Sequence, residues 1–276
     1  MGSLAHAAAA ILATMLFQAP LVGTWALPSG KPAAAAEMRV TGNMRNLDVD
    51  IVQTTGTMTA PIRKYDLDMT KLMHLVVISD DFSTFMHVHP AFDAATGHFT
   101  QNLTLDPHRH YLVYVDTEPA GLGQQVFRFS LQDGTQIGHA TAVRQLPSSP
   151  TVTAGPYTVT LSSTTLAANK PQDIQVDVMR GAKPARDLKP YLGAAAHAVF
   201  VNTGSLAYIH VHPTVFGTND DDAMDGMDMS HMDMGPAKSG PKMVMHIPAL
   251  PAGSYKLWLQ FQGDALEVAP FTLAVR

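Results

Sequence analysis

The stretch KLMHLVVISDDFSTFMHVHP at residues 71–90 returns, diverged, as AAAHAVFVNTGSLAYIHVHP at residues 194–213. Both copies keep His-x12-His-x-His-Pro, so His74, His87 and His89 reappear as His197, His210 and His212, each displaced by 123 residues. A chain that carries this pattern twice is expected to fold as two copies of one unit. Three imidazoles held at fixed spacing while the residues between them change point to a shared ligand chemistry, in the first place a metal ion. Any single His of the six reads as an ordinary hydrogen-bonded residue of a sheet; the repeated trio is what favours metal.

The spacing also predicts geometry. Residues 72–78 and 85–89 are apolar or β-branched runs separated by SDDFST, and residues 198–201 and 206–211 flank NTGS. Such pairs of runs are hairpin signals. A turn centred on Thr203 and Gly204 sets His197 directly across from His210. Cross-strand partners share a face, and so do residues two apart on one strand. Each trio is therefore expected on one side of its hairpin. A trio of neutral imidazoles suits copper or zinc and leaves a position for solvent or a fourth donor.

With 276 residues, 46% hydrophobic and 15% charged, the chain is long enough for two domains. A net charge of −5 leaves no basic surface for nucleic acid. There is no cysteine, so disulfides are excluded and a metal must be held by His, Met, carboxylate or backbone. Residues 4–27 carry no formal charge, and Ala34, Ala35 and Ala36 follow. This has the form of a secretory signal cut near Ala36, although no basic residue precedes the apolar run. The uncharged span could also be kept as a membrane anchor. Residues 1–36 are thus expected to be a signal peptide or anchor, with the rest periplasmic or extracellular and in contact with a membrane only if the anchor stays.

Short period-2 segments fill the body, with Gly, Pro and Asp between them, and no window sustains a helical stripe. That pattern predicts an all-β chain of two tandem antiparallel β-sandwich domains, residues 37–146 and 151–276, joined by a linker at 147–150. Tyr111 maps to Tyr255 and Phe127 to Phe271 at an offset of 144, against 123 for the hairpins, so the second copy carries 21 more residues (144 − 123). Composition places them within residues 218–240. There Met224, Met227, Met229, His231, Met232 and Met234 alternate with Asp225, Asp228 and Asp233. Thioethers prefer Cu(I) to harder ions, and exposed Met is open to oxidation, so the run reads as a Cu(I)-capture loop rather than an incidental acidic one. His246, after Met243 and Met245, is a candidate fourth ligand for the second trio. His98 is a weaker one for the first; His108 and His110 read as solvated loop residues, and Met69 and Met73 as core.

Residues 73–90 and 191–213 resemble a widespread group of exported bacterial proteins described as heavy-metal binding and often encoded beside metal-resistance functions. The likeness covers most of residues 45–276 and is specific at the two hairpins. The Met/Asp/His run is similar to Met-rich segments of periplasmic copper-resistance proteins, multicopper oxidases included. The resemblance implies an immunoglobulin-like or cupredoxin-like sandwich and copper handling, but no reaction. One departure is plain: a type 1 copper site needs a Cys ligand.

Enzyme readings find less support. The string FMHVH at residues 85–89 is superficially like the copper-binding strand of copper-zinc superoxide dismutase, without a bridging His series downstream. A cupin would need a Glu a few residues later, where only Asp93 stands, and no Ser-His-Asp set or phosphate loop is present. The expectation is an extracytoplasmic copper-binding protein for sequestration, resistance or delivery to another copper-handling protein, with one ion per domain. Two alternatives stand beside it: an adhesion or scaffold module with structural zinc sites, and a copper oxidoreductase.

Overall fold

The computed structural model describes residues 20–276 apart from 29, 31, 44, 133–134, 137–148 and 217–237. In the first domain the strands are β1 (Leu21–Val22), β2 (Thr24–Trp25), β3 (Ala35–Thr41), β4 (Asn46–Thr55), β5 (Met58–Pro61) and β6 (Met73–Ser79). They continue with β7 (Phe85–Val88), β8 (Ala91–Asp93), β9 (His98–Asn102), β10 (His110–Thr117), β11 (Gln125–Gln132) and β12 (Thr135–Gln136). The second domain runs through β13 (Thr151–Ala154), β14 (Tyr157–Leu161), β15 (Thr165–Leu166), β16 (Gln172–Arg180), β17 (Lys183–Pro184) and β18 (His197–Asn202). It ends with β19 (Tyr208–Val211), β20 (Thr214–Val215), β21 (Lys242–Ile247), β22 (Gly253–Gln262) and β23 (Leu266–Val275).

These strands build two tandem β-sandwiches, antiparallel except where β15 runs parallel to β23. The first pairs a sheet ordered β1-β3-β4-β9-β8 with one ordered β12-β11-β10-β6-β7; the second pairs β13-β14-β16-β21-β20 with β15-β23-β22-β18-β19. The mapping between copies holds in the ladders. Tyr111 lies opposite Ser79, and Tyr255 opposite Asn202, at matching places in β10 and β22.

The domains stack through the two sheets that carry the hairpins. Alternation sends Met73, Leu75 and Val77 of β6 into the first domain's core, while Val76 and Ile78 join Leu112 and Tyr114 of β10 on the opposite face. Likewise Ala198 and Phe200 of β18 enter the second core, and Val199, Val201 and Trp258 face outward from it. The two outward faces form one shared apolar cluster between the domains. Both inner sheets are therefore buried on both faces, giving four layers of sheet and three of apolar side chains. Trp258 stacks on Phe85 at 5.0 Å and on Phe82 at 6.0 Å, and Tyr114 stacks on Tyr208 at 5.0 Å. Trp258→Ala is expected to cost about 3–5 kcal/mol in denaturant unfolding. A cost under about 1 kcal/mol would mean the two sheets are not packed as described.

The expected boundary at Ala36 does not coincide with the domain edge. β1 pairs with β3 and β2 with β11. Ala26 is 3% exposed; its amide donates to the Val126 carbonyl at 3.0 Å, and its carbonyl accepts from Tyr208 N at 2.7 Å. The uncharged character of residues 21–27 thus has a packing cause: these residues edge the first domain and line the seam with the second. Of the expected linker, residues 149 and 150 are described, and β13 begins at Thr151.

Candidate metal centre

Both hairpins form, with a register different from the expected one. Val199, not His197, lies opposite His210, and Val76 opposite His87. The physical reason is the turn. Asn202 Oδ1 accepts from the amides of Gly204 and Ser205 at 2.9 and 2.8 Å, and Leu206 takes a left-handed conformation with φ 59°. Residues 203–206 then form the loop, closed by Asn202 N donating to the Ala207 carbonyl. A slip of two residues keeps every side chain on its face, so each trio still shares one side.

That side is the domain interface, and the two trios meet there. The two trios, expected apart, form one cluster of imidazoles. Ring centroids lie 4.9 Å apart for His74 and His89 and 4.7 Å apart for His197 and His212 within the domains, and 4.8 Å for His74 and His210 and 5.3 Å for His87 and His197 between them. One ring nitrogen from each of His74, His87, His197 and His210 falls within 4.8 Å of all the others.

The surroundings decide which nitrogen of each ring carries the proton. His74 Nε2 donates to the Asp68 carbonyl at 3.4 Å, and His197 Nε2 to the Tyr191 carbonyl at 3.1 Å. These two carbonyls are equivalent at the 123-residue offset, each in a short turn held by a bridge, Asp68 to Lys71 and Tyr191 to Ala194. His87 Nδ1 donates to Gln260 Oε1 at 2.9 Å, while His210 Nδ1 lies 3.5 Å from Asp116 Oδ2. Asp116 pairs with His74 in one inner sheet and Gln260 with His197 in the other; Gln260 thus orients a histidine of the neighbouring domain, while Asp116 Oδ2 and His210 Nδ1 are buried without a hydrogen-bond partner. The inner nitrogens converge: His74 Nδ1 stands 2.9 Å from His87 Nε2 and 3.2 Å from His89 Nε2, and His197 Nδ1 stands 3.1 Å from His210 Nε2. His212 Nε2 is buried with no hydrogen-bond partner. Outer partners that fix a tautomer in this way are characteristic of imidazoles that ligate metal.

The electrostatics agree. Burial first, then the neighbouring rings, pushes His74 down to about 3; burial, then Lys71, takes His89 to about 4, and burial takes His197 to about 4. His87, His210 and His212 are held well below the usual imidazole range for the same first reason. Two carboxylates stand at the edge of the cluster. Asp68 approaches His74 Nε2 at 3.4 Å, His212 Nδ1 at 3.8 Å and His210 Nδ1 at 4.0 Å. Burial, then Glu118, raises Asp68 to about 6; burial, then Asp68, raises Asp116 to about 8. Burial thus favours the neutral form of the rings and of both carboxyls.

A family model for a domain of unknown function, DUF8832, matches residues 33–132 and 151–276. The chain belongs to this family. The DUF8832 match contains all six clustered histidines together with Asp68, Asp116 and Gln260. No curated protein matches the sequence. Similar solved structures include a segment of two fibronectin type-III domains from chicken tenascin, at 12% identity over 87% of this chain and 97% of that one, with a TM-score of 0.21. Others are the FN1-FN3 domains of chicken CNTN1 (11% identity, 91% of this chain, 68% of that one, TM-score 0.20) and the chicken interferon gamma receptor alpha chain (12%, 89%, 99%, TM-score 0.23). At TM-scores of this size, the sheets described above carry the fold on their own.

Two expected ligands stand elsewhere. His246 is on β21 in the outer sheet of the second domain, where its Nδ1 bonds Asp173 Oδ1 at 2.9 Å. His98 is on β9 in the opposite outer sheet and bonds Asp50. His110 bears on Asp80 at 3.2 Å. Met73 is buried in the first core as expected, whereas Met69, expected there too, is 39% exposed in the turn beside Asp68. Met224, Met227, Met229, His231, Met232 and Met234 lie outside the described residues. Sequence reasoning missed Asp68, Asp116 and Gln260. For Asp116 a signal existed: it extends β10 on the face of Leu112 and Tyr114 and sits 144 residues before Gln260. Asp68 had none, since its counterpart is Tyr191. Gln260→Leu, which removes the acceptor that orients His87, is expected to weaken metal affinity about 10–100-fold, measured by competition with a chelator of known affinity.

Proposed function

We propose that the protein binds copper at the six-histidine cluster between its domains and serves to sequester or deliver it outside the cytoplasm. One observation carries the reading: the Asp68 carbonyl and the Gln260 amide take the outer protons of His74 and His87, so the bare His74 Nδ1 and His87 Nε2 face each other 2.9 Å apart. Lone pairs at that separation repel unless a cation lies between them. An all-imidazole donor set favours Cu(II) over other divalent first-row ions. The Met-rich run at 224–234 supports copper from the sequence side, since thioethers favour Cu(I). Export rests on the uncharged N-terminal span. Because β1 starts at Leu21, a processing cut that spares the fold falls before that strand.

A structural zinc site is the second reading, favoured by the position of the cluster between two domains. The test offers metal-free full-length protein equimolar copper and zinc, desalts it and measures the retained metal. Copper retained in preference to zinc, and lost on His74→Ala or His197→Ala, supports copper handling. Zinc retained in preference, with loss of domain packing on its removal, supports the structural site. Retention of neither ends both readings.

A further inference from the structure

We infer that the cluster is a dinuclear centre, with one ion on His74 Nδ1, His87 Nε2 and His89 Nε2 and a second on His197 Nδ1, His210 Nε2 and His212 Nε2. This rests on the metal-binding reading and adds to it the number of ions and their proximity. The two donor sets are chemically the same, one Nδ1 and two Nε2, and are related by the internal repeat. His74 Nδ1 stands 2.9 Å from His87 Nε2 and 3.2 Å from His89 Nε2, His197 Nδ1 stands 3.1 Å from His210 Nε2, and the His212 ring lies 4.7 Å from His197 and 4.5 Å from His210 between centroids. Two nitrogens bound to one tetrahedral ion at about 2.0–2.1 Å lie about 3.3 Å apart, so these three pairs already have the separation of two ligands on one ion.

The alternative is one ion on His74, His87, His197 and His210, whose nitrogens also gather within 4.8 Å. That arrangement fills a four-coordinate shell and leaves two inward nitrogens without a role. His89 Nε2 would remain 3.2 Å from His74 Nδ1, and His212 Nε2 would stay buried without a partner. A buried polar atom is costly to leave unpaired, and His212 Nε2 would be left so. Two ions use all six. With metal–nitrogen bonds of about 2 Å, the 4.8 Å limit on the four central nitrogens keeps the ions no more than about 9 Å apart. Asp68 and Asp116 supply negative charge against the mutual repulsion of two cations.

The experiment loads the metal-free full-length chain with Cu(II), desalts it, counts copper per chain and records the electron paramagnetic resonance spectrum. The same is done for His89→Ala, His212→Ala and His98→Ala, with circular dichroism and thermal unfolding to check that each folds. His89 and His212 are only partly buried and His98 lies in an outer sheet, so all three variants are expected to fold. Differences between chains carry the result, because residues 218–240 are common to all. The dinuclear centre predicts that His89→Ala and His212→Ala each retain one copper fewer than the parent, and that His98→Ala retains the same number. It also predicts a parent spectrum broadened by coupling between ions, which sharpens to an isolated Cu(II) signal in the two variants. Equal copper in the parent and both variants, with an isolated signal throughout, overturns the dinuclear centre and leaves metal binding intact. No copper retained beyond that of a chain lacking all six histidines overturns the proposed function as well.

Discussion

Saturating copper is expected to raise the thermal midpoint of the full chain by about 10 °C, and His74→Ala to remove most of that gain. A ligand that binds only the folded chain stabilises it by about 4 kcal/mol at a thousandfold excess over Kd. For a chain of this size, each kcal/mol moves the midpoint by about 2–4 °C. The effect should appear as one shifted transition, because the ligands come from both domains and the apolar cluster beside them joins the same two sheets. A companion result runs the other way. His212→Leu replaces a ring whose Nε2 is buried and unpaired, so without metal it is expected to be neutral or stabilising by about 1 kcal/mol. The same variant should lose much of the copper-induced shift. Differential scanning calorimetry of parent and variants, with and without copper, measures both. A midpoint unmoved by copper in the parent would remove the basis for metal binding at the cluster.

The hairpins and their internal repeat were legible because period-2 patterning and spacing fix which residues share a face, and a slip of two in register leaves that unchanged. What the period cannot say is what covers the outward face. Spacing puts each trio on one side of its hairpin, and in the structure that side packs on its twin. A trace of this was present: residues 72–78 and 198–201 are nearly continuous apolar runs rather than alternating ones, the mark of strands buried on both sides. The turn at Asn202 was misjudged because its side chain, by accepting two amides, makes a four-residue loop as favourable as a two-residue one. His246 looked eligible by its Met neighbours, but strand spacing does not reveal that β21 belongs to the outer sheet. The apolar span before Ala36 is ambiguous for a related reason, since it reads the same whether it enters a membrane or a protein core.

Metal-free protein is expected to lose stability steeply as pH falls below about 6.5, with an acid unfolding midpoint near pH 5. Six clustered imidazoles are held below their unfolded value of 6.5, to about 3 for His74 and about 4 for His89 and His197. Between those limits the unfolded chain takes up protons that the folded chain refuses, so stability drains away as pH drops, by about 1.4 kcal/mol per pH unit for each fully buried ring. Asp68, raised to about 6, and Asp116, raised to about 8, act with the opposite sign. Folded, they hold protons that the unfolded chain releases, so their contribution is present at acid pH and lost as pH rises through those values. Six groups against two leave a net loss on the acid side of several kcal/mol per pH unit, set against a total stability of about 5–15 kcal/mol. Denaturant midpoints from pH 4 to 8 in the presence of a chelator would trace this. Bound copper should hold the midpoint up until protons compete for the ligands, moving acid unfolding to lower pH. A profile that is flat between pH 6.5 and 4.5 without metal would mean the rings are not buried in their neutral form, and the outward placement of their protons would fail with it.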